Sequence, residues 1–391
     1  MSRSELVETS GLNRTTVGAL VGELADRGLA YETPATPNGS PGRPSAVVYP
    51  MSEGAVAVAV DISIDSISVA SIGFGGSVID LARAHLPRDR HSVEDAVAAA
   101  AELYHSRISA SLPAQSLMGV GVAVAGIASS HNGVVRLAPN LGWIDVPLGT
   151  MIADAFETAR PVYVGNEADL GALAEHTRGI AAGVDNVVYL LGRVGVGGGL
   201  IVDGGPMGGA GGYVGEVGHI VVNPQGHPCA CGSHGCWETE GGEGAILRRT
   251  GYPEGDGRSG IEALIASAKR GDHAVLESVR ETGRWLGIGI ASLVNIFNPS
   301  TVVLAGLFAR IAPFAWAGMQ DEVNRRTLAA AREQVEIVAS DLGEQAPLLG
   351  AAELAFQPLL LDPPAVWTTD EPLAGSVVGR QWNRNESVEI A

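Results

Sequence analysis

Apolar positions along the chain follow two periods. Residues 55–60 are apolar without a break and end at Asp61, the pattern of a buried strand. Residues 66–72 alternate and predict a second strand, with a turn at Gly73-Phe74-Gly75-Gly76. The same order returns later: a strand over 187–191, a glycine-rich turn over 192–199 and a returning strand over 200–202. Between the two hairpins, 119–124 and 162–164 predict strands and 168–176 a helix. Farther on, 287–297 has the spacing of an amphipathic helix stopped by Asn298-Pro299, and 301–304 reads as a strand.

A segment of different character comes first. Residues 4–12 predict a short helix ended by a glycine turn. Asn13 then caps a second helix from Arg14 to about Arg27, with Val17, Leu20, Val21 and Leu24 on one face. Two helices joined through such a turn resemble a helix-turn-helix. Residues 28–31 and 45–49 flank a Pro/Gly-rich stretch and predict the hairpin of a winged variant. In that arrangement Arg14, Thr15 and Thr16 stand at the N-terminal end of the recognition helix, where base edges are reached. Arg43, in the extended run Gly39-Ser40-Pro41-Gly42-Arg43-Pro44, suits a minor groove. The segment is not basic overall, since Arg3, Arg14, Arg27 and Arg43 face Glu5, Glu8, Glu23, Asp26 and Glu32. A protein-interaction module is therefore the alternative.

Composition narrows the class. At 391 residues the chain is long enough for two or three domains, and at 46% hydrophobic and 17% charged it is globular. A net charge of −18 argues against non-specific nucleic-acid binding by the bulk of the protein. Lys269 is the sole lysine, so arginine carries nearly all the positive charge. No run of eighteen apolar residues and no signal segment is present, which predicts a cytoplasmic protein without a membrane partner.

All three cysteines, Cys229, Cys231 and Cys236, fall in one Gly/Pro-rich loop with histidines on both sides. C-x-C-x4-C is a metal spacing, and Cys229 and Cys231 are too close to bridge each other comfortably. Three thiolates and one imidazole close a tetrahedral zinc site with no open position, so the zinc is structural. Spacing alone leaves His219, His227 and His234 as candidates for the fourth ligand; three reduced, buried cysteines are the alternative to any metal.

G-E-V-G-H, then nine residues, then C-A-C-G-S-H-G-C-W-E resembles the signature of the ROK family of sugar kinases and sugar-responsive repressors. The resemblance implies His219 as the fourth zinc ligand. It also covers the helix-turn-helix and the G-R-P after the wing, although the helix that precedes such a pair in the family is missing here. The duplicated hairpins resemble the actin-like ATPase (ribonuclease H-like) fold, an α/β architecture of two lobes with a ligand between them. Asn166-Glu167-Ala168-Asp169 resembles the family's N-D-A-N, placing Glu167 at the position of the catalytic base. Asn140, Asn166, Glu216, His219 and Glu238 match other sugar contacts, and buried carboxylates and amides suit a polyol.

The nucleotide motifs depart from the kinases. The first phosphate turn is Asp61-Ile62-Ser63-Ile64-Asp65, where side chains replace glycines and Asp65 opposes the phosphates by on the order of 1–4 kcal/mol. Val194 stands where the second turn carries a threonine, and the late adenosine segment, Leu304-Ala305-Gly306-Leu307, is poor in glycine. ATP is therefore not expected as a cofactor. The expected organisation is a winged helix-turn-helix over 1–50, a two-lobed sugar sensor over 51–361 with its zinc loop at 219–236, and a loose tail over 362–391. The expected function is a sugar-responsive transcriptional repressor acting as a homodimer or homotetramer on a palindromic operator. A sugar kinase with a vestigial helix-turn-helix, or a sensor that docks a transport component, are the rivals.

Overall fold

Two capped helices begin the chain in the computed structural model, which describes residues 1–34, 45–86, 88, 92–112, 117–129 and 132–362. Ser2 and Glu5 form a reciprocal capping box on α1 (Arg3–Ser10), and Gly11 ends that helix at a φ of 69°. Asn13 Oδ1 accepts the Thr16 backbone N–H and caps α2 (Arg14–Asp26). β1 (Ala30–Thr33) pairs antiparallel with β2 (Val47–Pro50), and Arg3 ties this hairpin to α1 through two bonds to the Glu32 carboxylate. The expected apolar face of α2 is only half covered. Val17 and Val21 are buried, whereas Leu20 and Leu24 are 45% and 40% exposed. A unit of two helices and a two-stranded ribbon covers one narrow stripe of α2, and the 20/24 pair lies on its flank. The hairpin tip with Arg43 lies outside the described residues, as does the expected tail from residue 363.

β3 (Val56–Ile62), β4 (Ser66–Gly73) and β5 (Val78–His85) form a meander, followed by α3 (Val93–Leu103) and β6 (Leu117–Val124). A separate small sheet, β7 (Ile127–Ser129), β8 (Val134–Ala138) and β9 (Trp143–Val146), precedes α4 (Leu148–Ala155), β10 (Val162–Asn166) and α5 (Glu167–Arg178). The first main sheet runs β10-β6-β3-β4-β5. The alternation of β4 does not leave one face wet, because all eight residues are buried. Ile67 and Val69 face the α3 side, whereas Ala70 and Ile72 face a core shared with the C-terminal helix, so helices cover both faces.

The second lobe repeats the plan. β11 (Val187–Gly192), β12 (Val196–Val202) and β13 (Gly205–Pro206) lead to the loop helices α6 (Trp237–Gly241) and α7 (Glu243–Thr250), then α8 (Gly257–Lys269) and α9 (His273–Phe297). β14 (Thr301–Gly306), α10 (Leu307–Arg326), α11 (Ala329–Arg332), β15 (Glu336–Ala339) and α12 (Ala346–Leu361) complete it. Its sheet runs β13-β12-β11-β14-β15, so in each lobe an antiparallel hairpin is extended beyond its first strand by two successive parallel strands. This is the duplicated plan of the actin-like fold. α9 starts at His273, well before the expected 287, because Asp272 caps it through the Ala274 and Val275 N–H groups. Glycines within the helix weakened the local signal, yet they are where α10 and Trp237 pack closest.

Helix α5 joins the lobes. It leaves β10 of the first sheet and packs against β12 of the second, while α12 returns from the second lobe onto α5, β6 and β3. At Gly199 an added Cβ would lie 2.3 Å from the Ala168 carbonyl oxygen, so this contact requires glycine at that position. Gly199→Ala is therefore expected to destabilise the protein by roughly 1–3 kcal/mol, read as a lower urea midpoint at unchanged slope.

Candidate functional site

The cleft between the lobes holds a cavity of about 520 Å³. Asn140, Asn166, Glu167, Glu216, His219 and Glu238 all line it, so the six positions singled out from the sequence converge. Asn140 follows β8, Asn166 and Glu167 sit where β10 passes into α5, and the other three come from the second lobe. The amide of Asn166 is largely committed. Its Oδ1 accepts the Ala168 and Asp169 N–H groups at 2.7 and 3.3 Å, and its Nδ2 donates to the Gly126 carbonyl at 3.0 Å. Its first task is to cap α5 and fix the direction of Glu167. Burial, only partly offset by the Arg193 cation, raises the Glu167 carboxyl above the usual range, and burial likewise raises Glu216.

Arg193 was not singled out in the sequence. It interrupts an otherwise glycine-rich turn between β11 and β12, and that single long cation is the signal that could have marked it. Its Nη1 donates to Glu167 Oε2 at 2.5 Å and Asp61 Oδ1 at 3.2 Å, and its Nη2 to Asp61 Oδ2 at 2.7 Å. The three side chains are 21%, 12% and 9% exposed. Burial works against the guanidinium charge, but the Asp61 and Glu167 carboxylates outweigh it and hold Arg193 protonated. The pair with Asp61 joins the second hairpin to the first. On the far side lies a smaller cavity of about 80 Å³, lined by Ser63, Asp65 and Val194 among others. Asp65 is paired there with Arg88 at 2.9 Å, and Arg88 reaches across to Glu243 at 2.5 Å.

The cysteine loop folds back on itself through short backbone bonds. Cys229 N–H donates to Ser233 O at 2.8 Å, Gly235 N–H to His227 O at 2.8 Å, and Trp237 N–H to Ile220 O at 2.8 Å. Gly235 has a φ of 66°, and a Cβ there would fall 1.5 Å from the Asn223 carbonyl oxygen, so the loop closes only with glycine at this point. Trp237 is fully buried beside α9 and donates its indole N–H to the Trp285 carbonyl at 3.0 Å. The result brings one ligand atom each from His219, Cys229, Cys231 and Cys236 within 4.8 Å of one another. Cys229 Sγ lies 3.6 Å from His219 Nδ1, and Cys231 Sγ 3.7 Å from Cys236 Sγ. A tetrahedral zinc with bonds of about 2.3 Å to sulfur and about 2.0 Å to nitrogen has edges of about 3.8 and 3.6 Å, so the cluster fits that ion. His227 instead faces Glu240, and His176 bonds to the Val184 carbonyl. The other nitrogen of His219, Nε2, faces Glu216 Oε2 at 3.7 Å.

In the N-terminal unit Arg14 and Thr15 are exposed on the first turn of α2. Thr16 is half-buried, with its hydroxyl bonded to Asn13 Oδ1 at 3.1 Å. Asp169, one turn into α5, was not singled out either. Burial, then the Glu216 carboxylate, push its carboxyl up to about 8. The folded chain thus keeps a proton that an unfolded aspartate releases near pH 4, and stability falls as pH rises from about 4 to about 8. Asp169→Asn removes that slope. The variant is expected to exceed the wild type by on the order of 1 kcal/mol in urea unfolding at pH 8, with the gain vanishing toward pH 4.

The ROK family profile matches residues 57–357. The xylose repressor of Bacillus subtilis (strain 168) is 29% identical over 362 residues, which cover 92% of each chain. Among solved structures, a ROK family transcriptional regulator described as a homolog of the E. coli MLC protein superposes with a TM-score of 0.71 at 26% identity, over 91% of each chain. A ROK family glucokinase from Streptomyces griseus, solved in complex with glucose and AMPPNP, superposes with a TM-score of 0.69 at 28% identity, over 77% of this chain and 99% of its own. With residues 57–357 of its 391 inside the family profile, the chain belongs to the ROK family.

Proposed function

We propose that this protein is a sugar-responsive transcriptional repressor, with a winged helix-turn-helix that binds operator DNA and a two-lobed sensor that binds a sugar between its lobes. The observation that carries this reading is the extent of the likeness. The xylose repressor aligns over 92% of both chains, whereas the glucokinase structure covers 77% of this one. Arg193, Asp65 and Val194 line the smaller cavity, which on this reading corresponds to the side where a ROK kinase presents phosphate to the sugar. The two carboxylates that hold Arg193 are thereby engaged with a protein cation. ATP and phosphoryl transfer have no part in the proposed activity.

In this reading Asn140 and Glu167 meet the sugar from the first lobe, and Glu216, His219 and Glu238 from the second. Each carboxylate accepts a hydroxyl, and His219 Nε2 supplies a contact whose direction is set by the bond of Nδ1 to zinc. His219, Cys229, Cys231 and Cys236 hold that zinc, which closes the loop and has no open position for catalysis. A sugar bridging the lobes shifts the closure equilibrium by its differential affinity for the two states. In a homodimer or larger assembly, closure moves the two winged units relative to each other. Paired recognition helices need half-sites about one helical turn apart or a multiple of it, so that movement changes operator affinity. Arg14 and Thr15, with Thr16 and Arg43, are the proposed DNA contacts.

Protein purified without added metal is expected to carry close to one zinc per chain by elemental analysis. His219→Ala is expected to lose zinc and sugar response together; a folded protein with less than about half an equivalent would count against the zinc site. The repressor reading is tested by titrating full-length protein against a duplex selected from random DNA, with and without xylose or glucose. Glu216→Ala is expected to keep DNA affinity and lose the sugar response. Arg14→Ala is expected to weaken DNA binding by about 1–3 kcal/mol while sugar still binds. Failure of the wild type to enrich any duplex would sink the repressor reading.

A further inference from the structure

Arg193 lines both cavities of the cleft, together with Ser63, Leu191 and Val194, and its guanidinium stands between them. On the larger side it shares the walls with Glu167, Glu216 and Glu238, and Asp61 lies directly behind it. Without Arg193 three carboxylates would line the larger cavity, with a fourth, Asp61, on the side of the smaller one. Such a set draws a cation, because buried carboxylates are stable only when paired or protonated. The protein supplies that cation itself, from the tip of the second hairpin. Both Asp61 oxygens and Glu167 Oε2 bond to Arg193, which leaves Glu167 Oε1 to accept from a ligand.

We infer that Arg193 is a specificity-determining residue of the cavity: an internal cation that takes the place to which a ligand's ammonium group would otherwise be drawn. The inference rests on the reading of the cavity as a sugar site. With Arg193 in place, the cavity accepts uncharged hydroxyls through Glu167 Oε1 and gains nothing from an amino group. A phosphate or carboxylate on the sugar meets Glu167, Glu216 and Glu238, and the guanidinium that could offset it is already shared between two protein acids.

Calorimetric titration of the full-length protein with glucose, glucosamine and glucose 6-phosphate tests this, in the wild type, Arg193→Gln and Arg193→Lys. Wild type is expected to bind glucose at least about tenfold more tightly than glucose 6-phosphate and no more weakly than glucosamine. In Arg193→Gln the ratio of glucosamine to glucose affinity is expected to rise by about tenfold or more, because one positive charge beside the carboxylates is gone. Arg193→Lys keeps the charge and is expected to hold the wild-type ratio. A merely structural role would lower all affinities together, so an unchanged ratio in folded Arg193→Gln overturns the inference. Wild-type preference for glucosamine or glucose 6-phosphate overturns it as well, while leaving the sugar site intact. No binding of these three or of xylose by the wild type overturns the sugar reading and the inference together. If Arg193→Gln does not fold, the wild-type ratios and Arg193→Lys decide, and a ratio shifted toward glucosamine in Arg193→Lys counts against the inference.

Discussion

The contact of α5 with β12 is the constraint on which the rest of the molecule depends. The helix starts directly from the last strand of the first sheet, and its first turn lies on the second hairpin, where only glycine allows the Ala168 carbonyl to approach. That contact sets where Glu167 emerges and brings it within reach of Arg193 from the facing turn. Gly197 and Gly199 of this turn are thus accounted for by the packing of α5.

Charge in the cleft follows from that geometry. The chain places Asp61, Glu167, Asp169, Glu216 and Glu238 around one region, against Arg193 as the cation held by two of them. Burying unpaired carboxylates is costly, and the protein meets the cost in two ways. Asp61 and Glu167 are paired with Arg193, while Asp169 keeps its proton into the neutral range. The cysteine loop adds a third polar feature, anchored by Trp237 on α9, so that His219 stands between the sulfur cluster and the cavity.

Much of this was legible in the chain itself. Two apolar hairpins with the same order of strand and turn determined a duplicated two-lobed architecture, because a continuous apolar run must be buried on both faces. The C-x-C-x4-C loop pointed to a metal-ligand cluster, since Cys229 and Cys231 are too close to bridge each other, and Asn13 marked where α2 begins; the caps Ser2 and Asp272 emerged only in the fold. Tertiary structure alone decided the remainder. Cysteine spacing left His219, His227 and His234 open and the family resemblance favoured His219; the tertiary structure sets His219 beside the three thiols and turns His227 toward Glu240. It left Leu20 and Leu24 uncovered, because helical period states which residues share a face but not how wide a partner covers it. Arg193 carries no mark of its role in the glycine turn; only the approach of Asp61 and Glu167, 132 and 26 residues away in sequence, makes it the central charge of the cleft. Local pattern records what one segment prefers, whereas the pairing of distant charges exists only once the lobes have closed.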